Sequence, residues 1–487
     1  MLNIVDDILS SGVSPLEICF VAFTRKAANE ARERAVARFK IPDSEFVYFR
    51  TLHSLAFMQL NLSKNTVMGV RDYITLAGML GISITAANFS EDGTTYGMTR
   101  GDRMLFLENL ARVNDADLEE TWRKFDNDIG WYELLRVRET LDSYKKSYGK
   151  VDFTDMITKF NTLHPVPETI RYLIVDEVQD LSKIQWVMVD ILSEHVEQTY
   201  VAGDDDQAIF RWAGADVEHF IDLDGDRTVM QQSYRVPVKV HETAMRIIST
   251  IKHRIDKEWK PRSVQGTVEY HEDIGEIDMS SGTWMLLARN SYMLNQYEEY
   301  CISSGYSFDS VLNSLIRGDS FRAIRAWESL RRGQRIPITQ AREIYDYMSV
   351  RQSVKYGFKR SLEAAEEEET VCIDDLKERY GLVTNEPWNI ALDRLNDVER
   401  EYFLTALRAG EKLLKEPRIK INTIHGVKGG EAQHVVISLD MAKRTFEEYQ
   451  NNRDDECRVW YVAVTRASES LHVLLPTTSL AFEDLMI

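Results

Sequence analysis

Three short apolar runs in the first half of the chain each end in a polar turn. They are ICFVAF (18–23), YLIVD (172–176) and TYVAGD (199–204). Runs that are apolar on both faces are typical of parallel strands covered by helices on both sides, because a strand with one solvated face alternates apolar and polar residues. The sequence therefore predicts buried strands of an open parallel sheet, with ligand-binding groups where those strands end.

Four further runs predict a second parallel sheet. They are WMLLAR (284–289), IKINTI (419–424), HVVISL (434–439) and LHVLLP (471–476). The stretches at about 61–150 and 313–417 are richer in charged residues and helix formers and lack such runs, so they are predicted to be helical. A chain of 487 residues also exceeds a single core, which stops growing near ~250–300 residues.

These patterns predict an α/β fold of two parallel-sheet domains, each interrupted by a mainly helical insertion. The predicted first domain comprises residues 1–60 and 150–232, and its insertion comprises 61–149. The predicted second domain comprises 233–312 and 418–487, and its insertion comprises 313–417.

Two adjacent carboxylates, Asp176 and Glu177, stand where the run 172–176 ends. At the carboxyl edge of a parallel sheet such a pair suits nucleotide hydrolysis. Asp176 can hold Mg²⁺ through its water shell, and Glu177 can orient or deprotonate the attacking water. The alternative is a pair of solvated acids in a turn, and the dipeptide alone favours that alternative.

A second polar turn, DDDQAIFRWAGA (204–215), follows the run 199–204. Gln207 lies just beyond the end of this predicted strand, where its amide can sense a terminal phosphate. Phe210 and Trp212 follow within a few residues, and aromatic faces at such a place can stack on nucleic-acid bases, at ~1–3 kcal/mol per base. The alternative places both aromatic rings in the core, but the polar surroundings of Trp212 favour its exposure.

Taken together, these residues resemble the UvrD/Rep/PcrA family of superfamily 1 DNA helicases, and the resemblance extends along nearly the whole chain in the family's motif order. The stretches similar to motifs Ia, Ib, II, III, IV, V and VI are, in order, FVAFTRKAANEARER (20–34), TLHSLA (51–56), VDEVQD (175–180), GDDDQAIFRWAGA (203–215), QQSYRVP (231–237), INTIHGVKGGEAQHVV (421–436) and ECRVWYVAVTRASESL (456–471). An ordered series is far more specific than any one motif. It implies two RecA-like (P-loop NTPase) domains with ATP and Mg²⁺ between them, and an ATP-dependent helicase that moves 3′ to 5′ along single-stranded DNA.

The resemblance also implies roles for residues of the second domain. Arg235 and Arg466 match arginines that contact the γ-phosphate, and Arg466 resembles the arginine finger. Guanidinium groups suit this role because they neutralise charge on a transferred phosphoryl group. Tyr234 matches a residue that stacks on adenine. Glu431, beside Gly429 in the nucleotide-binding motif V, matches an acceptor for the ribose hydroxyls.

The family's contacts to single-stranded DNA map onto both domains of this chain. The matching positions are Phe23, Thr24, His53, Phe210, Trp212, Thr423 and His425. His53 alone would more often be a core or capping histidine. Ala213 stands where the family commonly has an arginine, so one strand contact is expected to be missing. The implied partners are single-stranded DNA and single/double-strand junctions.

One family motif does not occur in the 487 residues. The sequence contains no GxxxxGK[ST], whose backbone N–H groups and lysine cradle phosphates in relatives. Residues 1–12 instead have an apolar face, at Ile4, Val5, Ile8 and Leu9, that matches the helix after that loop. This pattern predicts an N-terminally incomplete first domain and a chain that is poorly folded or inactive as an ATPase. The alternative function is a helicase-derived module that only binds single-stranded DNA or a partner.

Composition sets further limits. The 59 basic and 78 acidic residues give a net charge of −19, which argues against non-specific binding of polyanions, so DNA contact would depend on a local groove.

The four cysteines are scattered singly and are predicted to be reduced thiols, mostly in the core. Without an export signal or a long apolar run, the chain is predicted to be an intracellular, nucleoid-associated protein that does not contact membranes. The short second insertion is typical of a compact relative such as a phage enzyme.

Overall fold

The computed structural model describes residues 1–85, 99–125, 128–312, 318–412 and 416–486. The chain divides into two compact units. The first unit comprises Met1–Arg227 with Arg254–Asp256, and the second comprises Thr228–His253 with Lys257–Ile487. Parts of the two predicted insertions, at 86–98, 126–127, 313–317 and 413–415, lie outside the described residues.

The first unit is built on a parallel sheet. Its described strands are β1 (Ile18–Ala22), β2 (Phe49–Thr51), β3 (Tyr172–Val175) and β4 (Gln198–Val201), in the spatial order β2-β1-β3-β4. Val175 pairs with Val21 on one side and with Val201 on the other. The polar segments that follow β1, β3 and β4 are therefore brought to the same edge of the sheet.

Helices cover both faces of this sheet. The helices of the first unit are α1 (Leu2–Ser10), α2 (Arg25–Phe39), α3 (Leu52–Gln59), α4 (Val70–Leu80), α5 (Arg100–Val113), α6 (Leu118–Phe125), α7 (Trp131–Tyr148), α8 (Phe153–Leu163), α9 (Lys183–Glu194) and α10 (Val217–Ile221). Val5 and Ile8 of α1 are buried with Phe20 and Phe49, whose rings stack 5.2 Å apart. The apolar face predicted for the first helix thus covers one side of the sheet.

A buried ion network connects α5, α7 and α8. The guanidinium of Arg112 contacts Glu108, Asp152 and Asp155 at 2.7–3.2 Å, and Lys145 Nζ lies 3.0 Å from Asp152 Oδ2. Burial alone would raise the pKa of Asp152, but the charges of Arg112 and Lys145 outweigh it and hold that pKa well below its ordinary range. The helical segment is thereby fixed to α8, which packs against α3 and α9 of the sheet layer.

The second unit contains a larger parallel sheet. Its described strands are β5 (Thr267–His271), β6 (Trp284–Ala288), β7 (Phe308–Ser310), β10 (Ile419–Thr423), β11 (Ala432–Ser438) and β12 (Ala467–Leu474), in the order β5-β12-β11-β6-β10-β7. A separate antiparallel pair is formed by β8 (Ile336–Pro337) and β9 (Thr370–Val371). The predicted α/β class with two parallel sheets is confirmed.

The helices of the second unit surround its sheet and form most of the segment between β7 and β10. They are α11 (Val238–Ile248), α12 (Asn295–Ser304), α13 (Asp319–Arg331), α14 (Ile338–Asp346), α15 (Phe358–Glu363), α16 (Ile373–Arg379), α17 (Trp388–Ala391), α18 (Asp397–Arg408), α19 (Lys443–Asn451) and α20 (Arg453–Val464). One continuous core joins the sheet to α13 and α14 through Phe308, Trp327 and Ile419.

Two strand predictions need correction. β4 was predicted to be a buried strand, yet it lies at the edge of its sheet, where Gln198 and Val201 are exposed and the two residues between them are half-buried. The second insertion, predicted to lack buried strands, contains the short β8–β9 pair, in which Ile336 and Val371 are buried. A two-residue strand is too short to produce an apolar run in the sequence.

The structure also shows where the cysteines lie and how apolar the helices are. All four cysteines are free thiols, and Cys19, Cys301 and Cys457 are buried, as predicted. Among the described residues, no helix combines the length and the apolar character that a membrane span requires.

The ion network predicts a large effect of removing its central cation. We expect Arg112→Ala to lower the local free energy of opening of α5, α7 and α8 by about 1–3 kcal/mol, because Glu108 and Asp152 would each lose one buried cationic partner and be left with Arg138 and Lys145. Amide hydrogen exchange resolved by mass spectrometry measures this energy. Arg123→Ala, which removes an exposed ion pair with Glu119 on α6, is the control and should cost at most about 0.5 kcal/mol. Equal protection in Arg112→Ala and wild type would contradict the prediction.

Candidate functional site

The acidic pair lies directly after β3. The backbone N–H of Asp176 donates to Val21 O at 2.8 Å, which continues the pairing of β3 with β1. Burial and the neighbouring charge of Glu177 both raise the pKa of Asp176. Glu177 is exposed and has a left-handed backbone with φ of +57°, which is uncommon for a residue with a side chain and is found most often at functional sites.

A buried glutamine that the sequence reasoning missed connects this pair to the next strand. Gln179 is 0% exposed, and its Nε2 donates to Glu177 Oε2 at 2.6 Å. Its Oε1 accepts from the backbone N–H of Asp204, beyond the end of β4, at 3.1 Å. Both ends of one amide are thus used to hold the loop after β3 against the loop after β4.

Gln207 completes the same network. Its Nε2 donates to Asp204 Oδ2 at 2.7 Å, and its backbone N–H donates to Asp204 O at 2.8 Å. A continuous series of hydrogen bonds therefore joins Glu177, through Gln179 and Asp204, to Gln207. The structure brings these two predicted site residues into one polar cluster at the carboxyl edge of the sheet.

An arginine distant in sequence fixes the turn that carries Gln207. Asp206 is fully buried, and Arg254 donates to its two carboxylate oxygens at 2.8 Å each. The backbone N–H of Ile255 donates to Asp205 Oδ2 at 2.8 Å. A fork-like arginine–carboxylate pair of this kind restricts geometry as well as adding energy, so the turn is rigidly held.

The first helix begins close to the acidic pair. The positive charge of the Met1 amino group is near enough to Asp176 to lower its pKa slightly against the stronger effect of burial. The N-terminus of α1 therefore faces the carboxyl edge of the sheet. Helix N-termini present unpaired N–H groups and a partial positive charge, which suits them to bind phosphate.

The residues predicted to bind nucleotide in the second unit lie around β11 and α20. Tyr234 is 86% exposed, so its ring is free to stack on a ligand. Arg235 is half-buried, its Nη1 lies 3.8 Å from Glu431 Oε2, and burial lowers its pKa. Its Nε is buried and has no hydrogen-bond partner among the described residues. Gly429 is exposed with a φ of +78°.

The predicted arginine finger is held differently from Arg235. Arg466 is 1% exposed, and its guanidinium donates to Val462 O at 2.8 Å, Gly430 O at 3.2 Å and Thr465 Oγ1 at 3.0 Å. These bonds connect motif VI to motif V. In this conformation Arg466 fixes the loop of Gly429 and Glu431 rather than presenting its charge to solvent.

Three of the residues predicted to contact DNA share one pocket of the first unit. Phe23, His53 and Phe210 line it, and the rings of Phe23 and Phe210 stack 6.3 Å apart. His53 is 9% exposed and packs edge-on against Phe153 at 5.7 Å. The small side chain at Ala213 contributes to the same pocket.

The other predicted DNA contacts are dispersed. Trp212 is 36% exposed and stacks on Phe106 at 5.8 Å, so its exposure is only partial. Thr24 caps α2, where its Oγ1 accepts from the N–H of Ala27 at 3.2 Å. In the second unit Thr423 ends β10, and its Oγ1 accepts from the N–H of Gly426 at 3.3 Å. The half-buried His425 follows in the same turn.

A basic cavity beside the aromatic pocket was not predicted. Its volume is about 410 Å³, and His53 lies on its wall as well. Four cationic side chains line it, namely Arg25, Arg32, Arg50 and Lys64. Burial and the nearby charge of Arg32 lower the pKa of Arg50, which shows that positive charge is concentrated there. This local field offsets the acidic net charge at a surface suited to a phosphate backbone.

Comparison with known proteins identifies the relatives of the chain. A family model described as the UvrD/REP helicase N-terminal domain matches residues 2–228, and one described as the UvrD-like helicase C-terminal domain matches 325–477. The ATP-dependent DNA helicase PcrA of Staphylococcus epidermidis is 24% identical over 305 residues, which cover 60% of this chain and 41% of that protein.

Two other relatives are similarly distant. The ATP-dependent DNA helicase Rep of Buchnera aphidicola is 25% identical over 315 residues, covering 59% of this chain and 44% of that protein. The PcrA protein of Bacillus subtilis is 25% identical over 282 residues, covering 54% and 38%. The chain thus spans about two fifths of the length of the curated relatives it matches.

The left-handed backbone of Glu177 predicts an unusual response to glycine. We expect Glu177→Gly to unfold with a free energy about 1 kcal/mol higher than Glu177→Ala, because both variants remove the acceptor of Gln179 Nε2 but only alanine keeps the penalty of a left-handed backbone. Urea unfolding measures the two free energies. At Glu139, an exposed position inside α7, the order is expected to be reversed, with glycine about 1 kcal/mol less stable than alanine. A glycine variant less stable than the alanine variant at Glu177 would contradict the expectation.

Proposed function

We propose that this chain, which belongs to the UvrD-like family of DNA helicases, forms the two RecA-like domains of an ATP-driven motor, which hydrolyses ATP together with a GxxxxGK[ST] loop that these 487 residues do not contain. In this proposal the motor couples ATP hydrolysis to movement along single-stranded DNA. One observation carries the proposal, namely the hydrogen-bonded series from Glu177 through Gln179 and Asp204 to Gln207. A carboxylate that hydrogen bonds connect to an amide at the carboxyl edge of a sheet is suited to position water against a phosphoryl group.

The residues of the first unit fit ATP and Mg²⁺ chemically. Asp176 offers a half-buried carboxylate, which is the kind of oxygen donor that Mg²⁺ prefers. When bound, Mg²⁺ would neutralise charge that develops on the phosphates. Glu177, exposed and held by Gln179, would orient and deprotonate the attacking water, and Gln207 would respond to the terminal phosphate.

The second unit also contains cationic and stacking groups that suit nucleotide binding. Arg235 suits phosphate binding because its Nε is buried without a partner among the described residues and its ion pair with Glu431 is long, at 3.8 Å. Arg466 would act as the arginine finger after some of the bonds that its guanidinium donates to Val462, Gly430 and Thr465 exchange for bonds to phosphate. Tyr234 would stack on the adenine, and Glu431 would accept from the ribose.

The DNA track would follow the aromatic pocket and its basic neighbour. Phe23, Phe210 and Trp212 would stack on bases, and the cavity lined by Arg25 and Arg50 would attract the phosphate backbone. Thr423 and His425 of the second unit and Thr24 of the first unit are assigned to contacts with the strand. Movement from 3′ to 5′ and action at single/double-strand junctions are part of this proposal, as is an intracellular location.

A binding module without hydrolysis is the second candidate function. The absence of GxxxxGK[ST] from the 487 residues favours it. The ordered contacts of Glu177, Gln179 and Gln207 favour the motor, since binding of DNA alone does not require a positioned carboxylate. Hydrolysis and DNA affinity, measured on the same preparation, separate the two candidates.

The motor proposal predicts that Glu177→Gln lowers DNA-stimulated ATP hydrolysis by about 10²–10⁴-fold, because a general base would be lost. Its affinity for single-stranded DNA should stay equal to that of wild type. Phosphate release is measured with and without an oligonucleotide, and Glu139→Gln, an exposed change on α7, should hydrolyse ATP normally. Undiminished hydrolysis by Glu177→Gln would refute the assigned role. These assays use the chain extended by a GxxxxGK[ST] loop, and an extended wild type that binds DNA but releases no phosphate would favour the binding module.

The DNA track predicts that Trp212→Ala and Phe210→Ala each weaken binding of single-stranded DNA by about 1–3 kcal/mol, because each loses one base-stacking surface. Fluorescence anisotropy of a labelled oligonucleotide at fixed salt measures the affinity. Tyr356→Ala, which removes an aromatic ring that is 82% exposed in the second unit, should bind as wild type does. Equal losses in all three variants would show that stacking at this pocket is not the cause.

A further inference from the structure

Two histidines and a glutamate meet on one face of the second sheet, away from the residues discussed above. β5 pairs with β12 so that His472 lies opposite Glu269, and His271 is two residues further along β5 on the same face. His271 Nε2 lies 3.0 Å from His472 Nδ1. Glu269 Oε2 lies 3.8 Å from the first of these atoms and 3.7 Å from the second.

The other ring nitrogen of His472 has a hydroxyl partner within the same sheet. Its Nε2 lies 2.8 Å from Ser470 Oγ, and that hydroxyl lies 2.7 Å from His434 Nδ1. If Nε2 carries the proton and donates to the serine, the serine can donate in turn to His434. The lone pair of His472 Nδ1 then points to His271 and Glu269.

A carboxylate orients the second histidine as well. His271 Nδ1 lies 3.4 Å from Glu276 Oε2, on the side of the ring opposite His472. Histidines that bind metals usually donate their other ring N–H to a carboxylate, a carbonyl or a hydroxyl, which fixes the ring and raises its basicity. Both histidines of this cluster have such a partner, His271 in Glu276 and His472 in Ser470.

We propose that Glu269, His271 and His472 form a binding site for one Zn²⁺ ion. Zinc bonds of about 2.0–2.2 Å in tetrahedral geometry place neighbouring donor atoms about 3.3–3.5 Å apart, and the three observed separations lie close to this spacing. Two imidazoles with one carboxylate match the preference of zinc rather than that of Mg²⁺ or Ca²⁺. When zinc takes His271 Nε2, the proton on that atom moves to Nδ1, which donates it toward Glu276, and the fourth position is left to water.

The proposed zinc site lies between an edge strand and its neighbour in the second sheet. β5 is an edge strand whose residues are exposed or half-buried, and it is paired with the sheet only through β12. An ion held by Glu269 and His271 on β5 and by His472 on β12 joins the two strands by side chains as well as by the backbone. Zinc is therefore expected to stabilise the second unit and its outer strand in particular.

A second compact group of possible metal ligands among the described residues is less suited to bind a cation. Asp204, Asp205 and Asp206 also lie close together. The carboxylate of Asp206 is occupied by Arg254, and that of Asp205 accepts from Ile255. A cation there would have to displace an arginine, whereas in the histidine cluster only a ring proton of His271 has to change its nitrogen.

The test is isothermal titration of the full chain with ZnCl₂ after dialysis against a chelator, with bound zinc counted by atomic emission. We expect one ion per chain. Glu276→Gln, which changes only the outer partner, should weaken binding by about 10–100-fold. Glu269→Gln and His271→Asn remove ligands and should weaken it further. Glu269 and Glu276 are each 51% exposed, so their variants are expected to fold.

The matched control is Glu272→Gln, which removes the same charge from an exposed glutamate next to His271. It should bind zinc as wild type does, and zinc should raise the unfolding temperature of wild type and of this control but not of Glu269→Gln. The proposal is overturned if wild type binds no zinc. It is equally overturned if Glu269→Gln and His271→Asn retain the wild-type affinity, since the ion would then be held elsewhere.

Discussion

The buried amide of Gln179 is the interaction on which the candidate site depends. Its side chain bonds both to Glu177, after β3, and to the backbone of Asp204, after β4. Gly203 allows this approach, because a Cβ atom there would lie 2.7 Å from Gln179 Oε1 and 2.9 Å from Val178 Cγ2. An amide with no access to water is costly to leave unpaired, so each of the two loops holds the other in position.

The sequence predicted the elements that have a strong local signal. Long runs such as 284–289 and 434–439 are buried on both faces, and they appear as β6 and β11. β2 and β7 have only three residues each, and β5 is half-exposed at an edge, so none of them produces a continuous apolar run. The edge position of β4 was also not predictable, because its residues are apolar enough for a central strand and only the sheet order decides their exposure.

Site residues were predictable where they follow a strand within a recognisable motif. Glu177 and Gln207 met both conditions, and the structure places them in one hydrogen-bonded series. Arg254 was not predictable, since it is far in sequence from Asp206 and belongs to no motif. The internal bonds of Arg466 depend on the loop of Gly430, and the histidine cluster depends on the pairing of β5 with β12. Such tertiary contacts leave no periodic pattern in a single sequence. The predicted domain boundaries and residue roles stay predictions.

The role of Gln179 is tested most directly by the steady-state kinetics of DNA-stimulated ATP hydrolysis in Gln179→Met. Methionine keeps the length and volume of the side chain but cannot hold Glu177 or Asp204 by hydrogen bonds. If Gln179 positions the carboxylate, kcat should fall by about 100-fold while KM for ATP stays near the wild-type value, because a misplaced catalytic group affects the reaction more than binding. A wild-type kcat in this variant would contradict the positioning role and leave Glu177 ordered by other contacts.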